Sequence, residues 1–452
     1  MIALVEKKLY EYCNELNIPI QELSILLSFS GGIDSTVLAT LLVELRDKYG
    51  FELALIHFNH NAHKKSQQMD RFCQTFSRKN NVGYYSRIFS FNKNANFEAC
   101  AREKRYSELD NLSNKLEVSI VFTAHHLDDQ IETLYMKMLD HSDWISKIGI
   151  RDSIGKIKRP LLDVGKEDIR KTAMHRRLKW IEDPTNDDMS IRRNNVRKIL
   201  LPKDLKASPK IMNKLLVNAD KYKLRMEIII SNLNKNKKIF INNETDKYIS
   251  ITTNKIKDFE IEYLKIFIYW CTSYHFKIKI PQLSRQLWLE FSNYVKHSRT
   301  GSKFEIGSLT SIKNRDELLL IPSYSKLISV PDKIKLTPNK KWYNSYFHLM
   351  ENHNIIYSAN KNKFSIPLDL YINGLYMRRW KKGDRILSAT SKKHILISDL
   401  YINNKLSTLG KLMHPIIVDK TDRIVWVPGM AHAELQEKQK IQKIKVIEWV
   451  QA

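Results

Sequence analysis

The chain has 452 residues, 43% of them hydrophobic and 27% charged, and its 75 Lys+Arg against 49 Asp+Glu give a formal net charge of +26. That balance excludes a disordered or collagen-like chain and provides for roughly two to four domains with real cores. So basic a surface favours polyanions such as nucleic acid, although the heavy use of Lys, Asn and Ile expected of an AT-rich genome accounts for part of the excess, so charge nominates such a partner without establishing it.

In chain order, Leu23–Ser30 reads as an apolar strand that ends in Gly31-Gly32, and Asp34-Ser35 opens a helix whose apolar face is Val37, Leu38, Leu41, Leu42 and Leu45. Leu53–Phe58, Tyr84–Phe89 and Ser119–Ala124 read as further strands, each followed by a helical pattern. Repeated βα units with continuous apolar strands predict a parallel sheet covered on both faces, with ligands at the carboxyl ends of its strands. Beyond Pro160, Val164–Lys179 and Ile191–Leu200 read as helices around a turn at Trp180–Pro184. Residues 210–300 read as mostly helical and basic, 325–365 as weakly patterned, and the last stretch as β-rich with glycine turns. The expected domains are 1–205, 206–325, a linker or weakly patterned subdomain at 326–365, and 366–452.

The four cysteines, Cys13, Cys73, Cys100 and Cys271, form no Cys-x-x-Cys pair. This argues against zinc ribbons, iron–sulfur centres and a disulfide framework, and for a reducing, cytoplasmic setting. Glu6, Lys7 and Lys8 precede any long apolar run, unlike a signal peptide, and no apolar window is long enough to span a membrane.

Two motifs carry chemistry. Ser30-Gly31-Gly32-Ile33-Asp34-Ser35 sits where a strand becomes a helix. Two glycines let the backbone approach an anion, the helix start offers free N–H groups, and both serines can donate hydroxyls. Asp34 would repel phosphate directly, so its natural role there is a magnesium ligand bridging to phosphate oxygens. The second motif is His125-His126-Leu127-Asp128-Asp129-Gln130-Ile131-Glu132-Thr133, at the start of the helix after the fourth strand. Its acids are spaced to share a helix face, where they could hold an ammonium group or a metal ion, and its histidines could steady phosphate charge or move protons.

The first motif resembles the signature of the PP-loop, or N-type, ATP pyrophosphatases, which cleave ATP to AMP and pyrophosphate while adenylating a substrate. With the second motif, Trp180-Ile181-Glu182-Asp183-Pro184-Thr185-Asn186 and Arg193-Asn194-Asn195-Val196-Arg197, the ensemble resembles the tRNA(Ile)-lysidine synthetases. Ala124 stands where that family has Gly. Tyr376–Arg385, with its Gly383-Asp384-Arg385 turn, and Val425-Trp426-Val427-Pro428-Gly429 resemble its C-terminal segments. The resemblance implies a PP-loop α/β catalytic domain, a mainly helical domain and a small C-terminal α+β domain. It implies ATP and Mg2+, free L-lysine and tRNA(Ile) with a CAU anticodon as partners, and, since the family includes dimers, a homodimer among its assemblies.

Carried onto this chain, Ser30, Gly31, Gly32, Ile33, Asp34, Ser35 and Arg102 are expected to bind ATP, with Asp34 on magnesium. Asp34, His125, Asp128, Glu132 and Arg193 are expected to be catalytic, and Asp128, Asp129 and Glu132 to bind lysine. Arg378, Arg379, Lys381, Lys382 and Arg385 are expected to bind tRNA. Two rivals stand beside this. A tRNA cytidine thiolase of the same superfamily would want paired cysteines, and a non-catalytic tRNA-binding relic would not need an intact cradle with Asp34.

Overall fold

The computed structural model describes residues 1–59, 65–89, 97–245, 247–276, 283–322, 333–343, 345–350, 361–434 and 444–451, apart from the side chains of 97–103, 346, 349, 350, 444 and 451. They form two compact units, Met1–Ile228 and Ile229–Ala452. No helix among the described residues is long and apolar enough to cross a membrane.

The first unit is built on a six-stranded sheet: β1 (Ser24–Ser28), β2 (Glu52–Asn59), β3 (Gly83–Ile88), β4 (Ile120–Phe122), β5 (Ser153–Ile154) and β6 (Ile157–Lys158), in the order β3-β2-β1-β4-β6-β5. All neighbours are parallel except β5 and β6. The period of two sorts side chains between faces. Ile25 and Leu27 pack with Val37, Leu41 and Leu45, whereas Leu26 packs with Ile56, Leu109, Leu112 and Val121 on the other face. Helices α1 (Ile2–Leu16) and α2 (Ile33–Tyr49) line the first face, with α3 (Ser66–Lys79) contributing Cys73; α4 (Phe97–Lys115) lines the second. Burying about ten residues of α2 explains why its sequence is apolar nearly all round.

The strand order reverses at β1, which has β2 on one side and β4 on the other, both parallel to it. That is the switch point, and the crevice at the carboxyl ends there is where ligands of such sheets sit. The loop after β1 carries Ser30–Ser35. The loop after β4 carries His125 and His126 and enters α5 (Leu127–Leu139). Topology therefore sets the two motifs opposite one another.

The second unit contains the expected helices and, in addition, more sheet than the periodicity suggested. Ile241–Glu244, Ile249–Thr252, Lys303–Ile306, Leu309–Asn314 and Glu317–Ile321 form a five-stranded sheet, antiparallel throughout its neighbouring pairs. Within 326–365, expected to be a linker or weakly patterned subdomain, the described residues include strands. Ser345–Met350 pairs over six positions with Ile444–Gln451, and Trp342, Phe347 and Phe364 are buried in a core with Trp426 and Trp449. The partner strand lies about a hundred residues downstream, so nothing local in the sequence announces the pairing.

Candidate active site

The cradle is held open by backbone geometry. Gly31 has φ +82°, and a Cβ there would meet Cys73 Sγ at 3.1 Å and Phe72 Cδ1 at 3.2 Å, so this position needs glycine for conformation and for space. Gly32 caps α2 with extended backbone. Ser30 Oγ accepts from the Gly32 N–H at 3.3 Å and lies 3.0 Å from Ser35 Oγ, which donates to the Gly32 carbonyl at 3.0 Å. Ile33 turns into the core. Across the loop, the Ile181 N–H donates to the Gly31 carbonyl at 3.0 Å, so the Trp180–Asp183 turn fastens the cradle from outside.

His126 is the centre of the opposing motif. Its ring is 5% exposed and lies among three acids: Nε2 is 3.8 Å from Asp34 and 3.6 Å from Asp129, and Nδ1 is 3.7 Å from Asp128. His125, expected to be catalytic, is half-buried beside Thr123 Oγ1 at 2.9 Å; the adjacent-histidine pattern did not say which ring sits among the three acids. The contact with His126 holds the Asp128 carboxyl below the usual carboxylate range. Burial opposes ionisation of Asp129, but His126 and Arg193 outweigh it and its pKa is also lowered.

Glu132 is 3% exposed and has both oxygens taken by guanidinium groups. Arg193 Nε lies 2.7 Å from one oxygen, and Arg197 Nε lies 2.5 Å from the other. Arg193 also donates to Asp129 at 2.9 Å. Arg193 thus sits beside two acids of the second motif, and Glu132, expected to hold the substrate amine, is held by two arginines. The arginines come from a helical run whose middle, Val196–Leu200, is a π-turn. Asn194 anchors that run by donating to the Thr185 and Asp188 carbonyls, and Asp183 in turn accepts from Thr185. The Trp180–Asn186 segment is therefore scaffold for both cradle and arginines.

Lys166 was not anticipated. It opens α6 (Lys166–His175), and its Nζ lies 2.6 and 2.7 Å from the two Asp34 oxygens, while its backbone N–H donates to Asp128 at 2.8 Å. No spacing rule links Lys166 to Asp34 across 132 residues. Arg102 lies on α4, and its side chain is outside the described residues.

In the second unit, Lys381, Lys382 and Arg385 are exposed and Arg379 is half-buried. Arg378 is not a surface cation. It is 3% exposed, bonded to both Asp384 oxygens at 2.8 and 3.0 Å and to Asp422 at 3.0 Å. Its expected contact with tRNA is thereby corrected: the side chain fixes the Gly383-Asp384 turn. Trp426 likewise serves the core.

A phosphate cradle at a sheet switch point, faced by an acid–arginine cluster, defines an ATP-utilising PP-loop domain, and residues 3–204 match the family model described as a PP-loop domain. A tRNA(Ile)-lysidine synthase from Wigglesworthia glossinidia brevipalpis is 31% identical over 383 residues, covering 77% of this chain and 92% of that one. One from Staphylococcus aureus strain COL is 24% identical over 94% of this chain and 96% of its own length. The match to one from Enterococcus faecalis, 29% identical, spans 46% of each chain. The chain belongs to the tRNA(Ile)-lysidine synthase family of PP-loop ligases.

Proposed function

We propose that this chain joins lysine to the wobble cytidine of the CAU anticodon of tRNA(Ile) through an adenylated cytidine. The cytosine carbonyl oxygen attacks the α-phosphate of ATP, and the bond to the bridging oxygen breaks as pyrophosphate leaves. The lysine ε-amine then attacks the activated ring carbon, AMP departs, and lysidine results. The observation that carries this reading is the cradle of Ser30–Ser35 facing the ring of acids around His126, together with the names of the relatives.

In this reading, cradle N–H groups and the Ser30 and Ser35 hydroxyls hold phosphate oxygens, where fixed donors are worth most in the transition state. Arg193 and Arg197, steadied by Glu132, face the phosphates and the base. Asp128, half-exposed and kept ionised by His126, accepts the lysine ammonium and its proton. Magnesium belongs to the reading as well. The hard oxygens of Asp34 suit it, and since no described group of three or more His, Cys, Asp or Glu could hold a metal by itself, the phosphates would complete its shell. When bound it neutralises phosphate charge. Exposed Lys381, Lys382 and Arg385, with half-buried Arg379, contact the tRNA backbone. The reading includes a cytoplasmic setting, which the free thiols Cys13, Cys73 and Cys271 support. Pyrophosphate release that requires tRNA but not lysine tests the first step; release independent of tRNA would contradict it.

A further inference from the structure

We infer that Lys166 is a phosphate-contacting residue of the adenylation step, its ammonium passing from Asp34 to the departing pyrophosphate. The inference rests on the adenylation reading and adds a residue to it.

The stem of Lys166 is fixed and its tip is not. Its backbone N–H is tied to Asp128, and the preceding loop is tied to the start of α5 by Leu127 N–H to the Val164 carbonyl at 2.9 Å. The Nζ reaches into the cradle and meets both oxygens of Asp34. The side chains are 40% and 25% exposed, so the pair is weak and exchanges readily. The cluster's arginines are placed differently. Arg193 and Arg197 are gripped by Glu132, a 3% exposed carboxylate that would be left buried and unpaired if they moved. Among the described lysine and arginine side chains, Lys166 is thus the one paired with the cradle's Asp34, and that partner can release it at small cost.

The chemistry calls for such a cation. As the α-phosphorus bonds to the cytosine oxygen, the electron pair of the breaking bond passes to the bridging oxygen of pyrophosphate. An ammonium is a compact charge with three donors and suits that oxygen. A four-carbon stem anchored at the cradle mouth lets it follow the charge from Asp34 to the leaving group.

The test uses the full chain and two probes, inorganic pyrophosphate and AMP, each titrated calorimetrically in one magnesium buffer. Lys166→Met should weaken pyrophosphate binding by about tenfold or more and AMP binding by less than about twofold. Lys166→Arg, which keeps charge and donors, should recover most of the loss. Unchanged pyrophosphate affinity in Lys166→Met would overturn the inference. So would equal weakening of both probes, which would make Lys166 a prop for the cradle. If the parent chain bound neither probe, the adenylation reading itself would fall and this inference with it.

Discussion

Two arginine–carboxylate clusters, one in each unit, use the same chemistry in opposite senses. Around Glu132 the carboxylate is buried at 3% exposure, and the arginines that hold it, 28% and 39% exposed, look outward. Around Arg378 the guanidinium is buried at 3% exposure, and carboxylates 13% and 41% exposed surround it. The first cluster presents cations toward the cradle. The second buries its arginine and locks a turn, with the exposed Lys381 only at its rim, 3.9 Å from Asp422. Both come from motifs that read as functional in the sequence, so the difference lies in which partner faces solvent, and a residue pattern does not encode that.

The comparison can be broken from the catalytic side first. Asp34→Ala removes the cradle's acid and should lower tRNA-dependent pyrophosphate release by about a hundredfold or more while leaving tRNA affinity in place. Equal loss of tRNA binding in a filter assay would show that Asp34 serves the fold.

The buried partner of each cluster comes next. Arg378→Ala strips the guanidinium from Asp384, itself 13% exposed, and should cost about 3–5 kcal/mol in urea unfolding, with tRNA affinity of the folded fraction unchanged. Glu132→Gln should slow pyrophosphate release even without lysine, because its effect runs through Arg193 and Arg197. If only the lysine requirement rose, Glu132 would be an amine ligand after all.

A smaller effect is expected at His414, buried beside Tyr401 in the second unit. Burial holds its pKa down to about 4. Because the folded value lies below the unfolded one, its stabilising contribution is complete above about pH 6.5 and is lost as pH falls toward 4, by up to about 3 kcal/mol. His414→Gln should remove that part of the pH slope, read as the difference in urea midpoint between variant and parent.

The smallest effects belong to the exposed cations. Charge reversal at Lys382 or Arg385 should leave stability alone and flatten the salt dependence of tRNA binding by about 0.7–0.9 in log–log slope for each phosphate no longer neutralised. An unchanged slope would return those side chains to ordinary solvation.

Local and topological features were legible. Strand β1, the glycine pair and α2 follow from a short apolar run, two glycines and a helical face, and the parallel sheet then brings Asp34 and the His125–Glu132 segment together. What was hidden depends on long-range pairing. Lys166 meets Asp34, and Ser345–Met350 finds the last strand, only in the folded chain. The five-stranded sheet of residues 241–321 was obscured because runs such as Leu318-Leu319-Leu320-Ile321 have no period that separates a buried strand from a buried helix.

The central claim is that the cradle of the first unit activates a tRNA base for attack by lysine. The most direct measurement is mass analysis of the wobble nucleoside after the full chain has acted on tRNA(Ile) bearing CAU with ATP and lysine. The expected product is a cytidine that has gained one lysine less one water, with AMP and pyrophosphate formed in equal amounts and none of the three seen with Asp34→Ala. An unmodified cytidine, or one carrying sulfur in place of oxygen, would contradict the claim.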